Sequence, residues 1–191
     1  MTKLDKDIIE IFHDNGLCLT TKTVRVEGEI DEELAGKTLA NLHLLDQMTG
    51  EITIILSTNG GCVTAGFKIY DAIRACKNHV KIIAYGEVAS MGTIIFQAAD
   101  DGRRYMAPNS YLMLHEGDTE LEGKKKDRKE WERLYEWQEK RCMDIYWTKV
   151  KEKKPRARRS VFERKVNEKD WILLPKEAIE QGLADSIIEK Y

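Results

Sequence analysis

The sequence predicts an α/β fold: a mostly parallel sheet with crossover helices and one protruding helical handle. Short apolar runs rich in β-branched residues alternate with stripes at helical spacing, a pattern that builds parallel strands joined by right-handed crossovers. From about Gly117 the composition turns abruptly to charge, which sets the handle apart from the core. At 191 residues the chain is long enough for one hydrophobic core and short for two, so residues 1–191 are read as one domain.

Residues 24–30, VRVEGEI, alternate Val24 and Val26 before Ile30, the period of a half-buried strand. Asp31 stands where it caps a helix whose stripe is Leu34, Ala35, Leu39, Leu42 and Leu45, with MTGE as the turn after it. ITIILST, from Ile52, is a near-continuous apolar run expected to be covered on both faces and ended by NGG. Val63, Phe67, Tyr70 and Ile73 mark a second helix, and VKIIAYG, Val80 to Gly86, the strand that completes a βαβ unit. MGTIIFQAAD is then read as helix, RRYMAP as a short strand or turn, and YLMLH as a strand. Residues 118–160 form a charged handle region, where Trp131, Leu134, Tyr135, Cys142, Ile145 and Tyr146 give a partial stripe. That stripe predicts one long amphipathic helix over about 125–150, with Pro155 beyond its end. Trp131, Trp137 and Trp147 are expected to pack between helices. The tail DWILLPKEAIEQGLADSII holds a short strand, a short helix from Pro175 and a turn at Gly182.

Charged residues make up 34% of the chain yet cancel to a formal net charge of -2, which removes a global electrostatic case for nucleic acid or an anionic membrane as partner. The basic run KEKKPRARRS, residues 151–160, is interrupted by Glu152 and reads as a solvated surface. MTKLDKDIIE carries no apolar h-region and no stretch approaches a membrane span, so a soluble, unexported, cytoplasmic chain is expected. Cys18, Cys62, Cys76 and Cys142 are widely spaced without a CxxC pair, so reduced thiols are expected, and no metal or organic cofactor is implied.

GEVASMGTII, residues 86–95, places Ser90 between an apolar run and a helix. Taken alone, such a serine is an N-cap. Three features nevertheless fall at carboxyl ends of strands, where open parallel sheets carry their sites: Ser90 after VKIIAYG, His115 at the end of YLMLH, and Gly60-Gly61 after ITIILST. A serine hydroxyl needs a base to take its proton, and histidine suits that task once a carboxylate orients it. The Met91 amide at the helix start and the Gly61 amide are the candidate oxyanion donors. Separately none of these is specific. His115 reads equally as a strand-end histidine and the glycine pair as a tight turn, without GxGxxG or a Walker lysine, and Ala89 and Met91 around Ser90 do not make a Gly-x-Ser-x-Gly elbow.

Residues 57–117, STNGGCVTAGFKIYDAIRACKNHVKIIAYGEVASMGTIIFQAADDGRRYMAPNSYLMLHEG, resemble the core of the Clp protease proteolytic subunit family, ClpP. EKDWILLPKEAIEQGLADSI is similar to the family's C-terminal segment, and the strand and helix of residues 19–56 agree in order. The resemblance implies the ClpP/crotonase fold of repeated β-β-α units, a serine endopeptidase acting on unfolded polypeptide, and assembly into stacked rings. It implies Ser90 of ASMG as nucleophile, His115 of MLHEG as general base, and Asp170 as the orienting carboxylate, ahead of Glu168 and Asp185. It further implies the backbone N–H groups of Gly61 and Met91 as oxyanion donors, Gly60 and Cys62 beside the substrate, and an AAA+ unfoldase as partner. Three places depart from the family: TNGGCV, where Pro and Ser commonly flank the glycine pair; DTELEGKKKDRKEWERLYE, replacing a Gly-rich handle segment; and residues 1–18, which do not match the axial-loop segment. Cys62 is expected to pack rather than to serve as a second nucleophile.

The expected function is therefore a serine endopeptidase that cleaves unfolded polypeptides or short peptides inside a homo-oligomeric ring fed by an ATP-dependent unfoldase. A viral head-maturation or signal-peptide-type peptidase of the same fold is the alternative within hydrolases. A crotonase-type acyl-CoA enzyme, in which paired amides hold an enolate, and a catalytically silent ring scaffold are the alternatives from other classes. Ser90 and His115 argue against the crotonase-type reading.

Overall fold

The computed structural model describes residues 14–117 and 125–189. Among them the chain forms β1 (Leu17–Cys18), β2 (Thr23–Ile30), α1 (Glu32–Asp46), β3 (Ile52–Gly61), α2 (Val63–Ala75), β4 (Val80–Ala89) and α3 (Met91–Phe96). The remaining elements are β5 (Arg104–Met106), β6 (Tyr111–Leu114), α4 (Lys125–Lys153), α5 (Arg159–Glu168), β7 (Trp171–Leu173), α6 (Pro175–Gln181) and β8 (Ser186–Ile187). Residues 1–13 of the divergent N-terminal segment and 118–124 of the handle region lie outside the described residues. No helix among the described residues is long and apolar enough to cross a membrane.

The sheet runs β1-β2-β3-β4-β5-β8, and β6 joins β4 to β7. Only β1–β2 and β6–β7 are antiparallel among the described strands. β4 therefore has two partners along its length: residues 82–84 pair with β5, and residues 87–89 pair with β6. The change of partner falls at a register shift, where Leu56 and Thr58 of β3 oppose Ala84 and Val88. An irregularity of this kind bends a strand and re-aims the residues beyond it. β4 thus continues through Ala89 instead of ending at Gly86, and β3 continues through the glycine pair instead of ending before it. The sequence hid both extensions because glycine reads as a terminator when its ladder partners are unknown.

Val24, Val26, Ile52, Ile54, Leu56 and Ile82 form a fully buried face of the sheet. β3 alternates buried and half-buried positions up to Thr58, so it is not sealed on both faces as its apolar run suggests. Asp31 caps α1 through Oδ1, which accepts the Leu34 N–H at 2.7 Å, and Ala35, Leu42 and Leu45 of that helix are buried. α2 buries Ala65, Gly66, Ile69 and Ile73, leaving Val63, Phe67 and Tyr70 at the core margin. Gly66 is small for a packing reason: a Cβ there would stand 2.2 Å from the Met91 side chain.

α3 stops at Phe96, short of Asp100. The Asp100 N–H donates to the Val80 carbonyl at 3.0 Å and its Oδ2 accepts the Val80 N–H at 2.7 Å, which draws the segment onto the start of β4. α4 extends the expected handle helix to Lys153, and residues 127–134 stand exposed while Ile145, Tyr146 and Val150 are buried. α5 was not legible: only Phe162 and Val166, four residues apart, are buried in an otherwise charged run. Trp147 packs between helices, with its ring 6.3 Å from Phe162. Trp137 sets its ring 6.1 Å from Phe67 of α2 while leaving 57% of itself exposed, and Trp131, 49% exposed, stacks on Tyr135 of its own helix.

Arg104 anchors the far side of the sheet. It is 6% exposed, and its guanidinium donates to both carboxylate oxygens of Asp185 at 3.1 and 2.6 Å, to Gln97 Oε1 at 2.7 Å and to the Gly182 carbonyl at 2.8 Å. A paired fork of this kind is strong, but removing one partner strands a buried charge. Asp185→Ala is expected to cost about 3–5 kcal/mol of unfolding free energy in urea titration. A loss under about 1 kcal/mol would show that Gln97 and Gly182 suffice to hold the guanidinium.

Candidate active site

Ser90 follows the last residue of β4, and its N–H donates to the Met113 carbonyl of β6 at 2.8 Å. Its backbone is left-handed, φ 51° and ψ -124°, a conformation unusual for a residue with a side chain. It occupies the N-cap position of α3, yet its hydroxyl makes no capping bond. Ser90 Oγ instead lies 2.8 Å from His115 Nε2.

His115 is brought there by the ladder. Ser90 leaves β4 beside Met113, and His115 is the first residue after β6. On its other side, β6 and β7 pair Leu114 with Trp171, so one further step in the antiparallel register sets His115 opposite Asp170. His115 Nδ1 stands 3.9 Å from Asp170 Oδ1, an ion-pair separation longer than a hydrogen bond. The imidazole side chain is 26% exposed and the carboxylate 67%, so Asp170 meets solvent while the ring is largely enclosed. The other acids considered for this place are engaged elsewhere: Asp185 with Arg104, and Glu168 with Arg164 at 3.7 Å.

The glycine pair closes against the serine from β3. A Cβ on Gly60 would lie 2.6 Å from Ser90 Cβ, and one on Gly61 would lie 2.4 Å from the Ile30 carbonyl oxygen. Both residues have positive φ, 102° and 143°. Only glycine combines these angles with such an approach. The Gly60 amide donates to Thr58 Oγ1 at 3.0 Å, while the Ile30 carbonyl takes the Cys62 amide at 2.7 Å. In a parallel ladder successive amides point to opposite sides, so the Gly61 amide turns away from β2. Met91 opens α3, and its N–H has no intrahelical partner. These two amides are the candidate oxyanion donors.

Ser90, Met91, His115 and Cys62 line a cleft of about 530 Å³ that is also walled by α4, from exposed Trp131 and Leu134 to buried Gln138. The sequence marked that stripe for packing; its amphipathic spacing is equally the signal of a groove wall. Asp170 lies behind the imidazole rather than in the cleft. Cys62 is exposed at the cleft, not packed as expected, and all four cysteines are free. Burial, and then the Glu139 charge, push the Cys142 thiol up to about 12, so that sulfur stays protonated at neutral pH. Desolvation raises the Glu139 carboxyl above its ordinary range, and the negative charges of Glu116 and Glu136 add to the effect.

A serine hydroxyl in contact with a histidine, at the carboxyl ends of parallel strands and beside glycine backbone, is the arrangement of a serine hydrolase. The Clp protease family model matches residues 9–191. The ATP-dependent Clp protease proteolytic subunit of Deinococcus radiodurans is 29% identical over 174 residues, spanning 90% of this chain and 82% of that protein. The chloroplastic ATP-dependent Clp protease proteolytic subunit 3 of Arabidopsis thaliana is 31% identical over 180 residues, spanning 91% of this chain and 55% of that protein. Among solved structures, a mutant of ClpP1 from Listeria monocytogenes is similar at a TM-score of 0.77 and 28% identity, with 90% of this chain and 94% of that chain covered. The chain belongs to the Clp protease family: it has the ClpP fold and is a serine endopeptidase.

The two kinds of constraint at the glycines can be separated experimentally. Gly61→Ala combines a positive φ with a backbone clash, whereas Gly28→Ala, at φ 88° with nothing within 4 Å, carries the angle alone. Gly28→Ala should cost about 1 kcal/mol in thermal or urea unfolding and Gly61→Ala about 3 kcal/mol. Equal losses would show that the close approach to Ile30 is not restrictive.

Proposed function

We propose that Ser90, His115 and Asp170 form a catalytic triad, and that the chain works as one subunit of a homo-oligomeric ring that admits unfolded polypeptide. The 2.8 Å contact between His115 Nε2 and Ser90 Oγ carries the reading, since it joins a nucleophile to a base. In this mechanism Ser90 Oγ attacks the substrate carbonyl carbon while His115 Nε2 takes the hydroxyl proton. Asp170 accepts the hydrogen bond of Nδ1–H and stabilises the imidazolium, its 3.9 Å separation shortening as substrate closes the site. The Gly61 and Met91 amides receive the developing oxyanion. The imidazolium then protonates the leaving amine, the peptide bond breaks, and a water activated by His115 releases the acyl group. Gly60 and Cys62 border the extended substrate. The same Ser90–His115 contact favours acyl transfer over enolate chemistry on an acyl-CoA.

The names of the relatives describe proteolytic subunits of ATP-dependent proteases. This chain's glycine pair has neither GxGxxG spacing nor a Walker lysine, so we place ATP use on a partner chain, an AAA+ unfoldase that feeds the ring. Free thiols support a reducing, cytoplasm-like compartment.

Ser90→Ala is expected to abolish peptide hydrolysis and fluorophosphonate labelling, by about 10⁶-fold in kcat, with unchanged secondary structure by circular dichroism. Asp170→Asn should slow hydrolysis by up to about 10⁴-fold with little change in KM. Turnover retained in Ser90→Ala would move the chemistry to another group, with Cys62 the first to test, and full activity in Asp170→Asn would remove that carboxylate from the triad.

The enclosed ring gives a second outcome. The isolated protein should cleave short peptides without nucleotide yet leave a stably folded protein intact over the same hours, as read by gel electrophoresis. Rapid degradation of the folded protein without an ATPase would overturn the enclosed-chamber reading.

A further inference from the structure

We propose that Tyr146 of α4 is a positioning residue for the nucleophile, its hydroxyl holding the backbone of Ser90 through the hydroxyl of Thr93. The inference rests on Ser90 being the nucleophile. Thr93 is the third residue of α3 and fully buried. Its N–H and its Oγ1 both reach the Ser90 carbonyl, at 2.9 and 2.6 Å. Tyr146 is 5% exposed, and its hydroxyl lies 2.5 Å from Thr93 Oγ1 although the two residues are 53 apart in sequence.

The direction of the relay comes from proton count. A carbonyl oxygen only accepts, so the single hydroxyl proton of Thr93 goes to Ser90. Thr93 Oγ1 must then accept, and the proton between the two hydroxyls belongs to Tyr146. Burial pushes the phenol well above its ordinary range, so it keeps that proton at any working pH. A threonine bonding back to a carbonyl of its own helix is common. A third hydroxyl delivered from a distant helix, and buried, needs a further reason.

The backbone of Ser90 supplies one. A non-glycine residue at φ 51° persists only where its surroundings over-determine it. Met113 fixes the peptide on the β4 side, and the Tyr146–Thr93 pair fixes it on the α3 side. The ring of Tyr146 continues the connection: its centroid is 6.2 Å from that of Phe162, which is 5.6 Å edge-on from Trp171, next to Asp170. One side chain therefore touches the supports of both ends of the proposed triad.

Tyr146→Phe keeps the ring packing and deletes the donor. It should lower kcat on a short peptide about tenfold, with KM within about twofold, and lower the second-order rate of Ser90 labelling by a fluorophosphonate by the same factor. Thr93→Val, which keeps shape and loses both bonds, should show the same fall, and Thr93→Ser should recover activity to within about twofold. The double variant should be no slower than Thr93→Val, as members of one relay are not additive. A Tyr146→Phe protein with wild-type kcat and labelling rate, even at a lower Tm, would overturn the proposal. If Tyr146→Phe does not fold, the Thr93 pair decides: equal activity of the Val and Ser variants would overturn it. Turnover persisting in Ser90→Ala would instead defeat the nucleophile assignment, a separate result.

Discussion

The left-handed turn at Ser90 is the constraint on which the site depends. With ordinary extended or helical backbone at this residue, β4 would run on or α3 would begin earlier, and the hydroxyl would swing to the helix amides as an N-cap. At φ 51° the chain reverses within one peptide, so Oγ projects from the joint towards His115 while Met91 leaves its amide free. A conformation of this kind costs on the order of 1–3 kcal/mol. Three backbone-anchoring hydrogen bonds, from Ser90 N–H to Met113 and from Thr93 N–H and Oγ1 to Ser90, offset it at about 1 kcal/mol each. Gly60 is a consequence of the same turn, since a side chain there would collide with Ser90 Cβ, whereas Gly61 answers to the close approach of Ile30.

That dependence explains which parts of the molecule were legible in the sequence. The core strands and α1 were, because β-branched runs and an aspartate cap act over a few residues and need no partner to be recognised. The identities of Ser90, His115 and the glycine pair were legible as residues at strand ends, though their contact was not. It is created by β6 inserting between β4 and β7, and that depends on a register shift in β4 that no local spacing reveals. Asp170 was reached only through the family resemblance; in the structure its place is set by the β6–β7 register. Cys62 and Trp131 depart from the packing expected of them for one reason. Apolar spacing reports a face but not whether protein or a cleft lies against it.

The long helix α4 divides its work along its length. Its exposed half walls the cleft with Trp131 and Leu134, and its buried half packs Ile145 and Val150 into the core while Tyr146 packs there and also borders the cleft. The charged residues that dominate this segment lie mostly at the surface, where each pair contributes little: Lys140 with Asp144 at 2.6 Å is 70% exposed on the lysine side. Apolar contacts of the buried half therefore fix the helix. The abrupt change of composition after Gly117 marks where the chain leaves the sheet for α4 and α5, before it returns to the sheet in β7 and β8.

Helix α5, invisible in the sequence, bears on the position of the carboxylate. β7 is short, pairs with β6 alone among the described strands, and has Ile172 exposed with Leu174 exposed just beyond it, so its ladder bonds are a weak guarantee of position. Phe162 supplies the missing restraint by setting its ring edge against Trp171, while Lys165 Nζ lies 4.8 Å above the other ring of that contact, Trp171. Edge-on aromatic contacts contribute about 0.5–1.5 kcal/mol beyond area burial and fix orientation as well as distance. Asp170 immediately precedes β7 and adjoins Trp171, so holding the indole restrains the backbone that carries the carboxylate. The backbone on both sides of the 3.9 Å gap between Asp170 and His115 is thus held by the β6–β7 register together with the packing of Phe162 on Trp171.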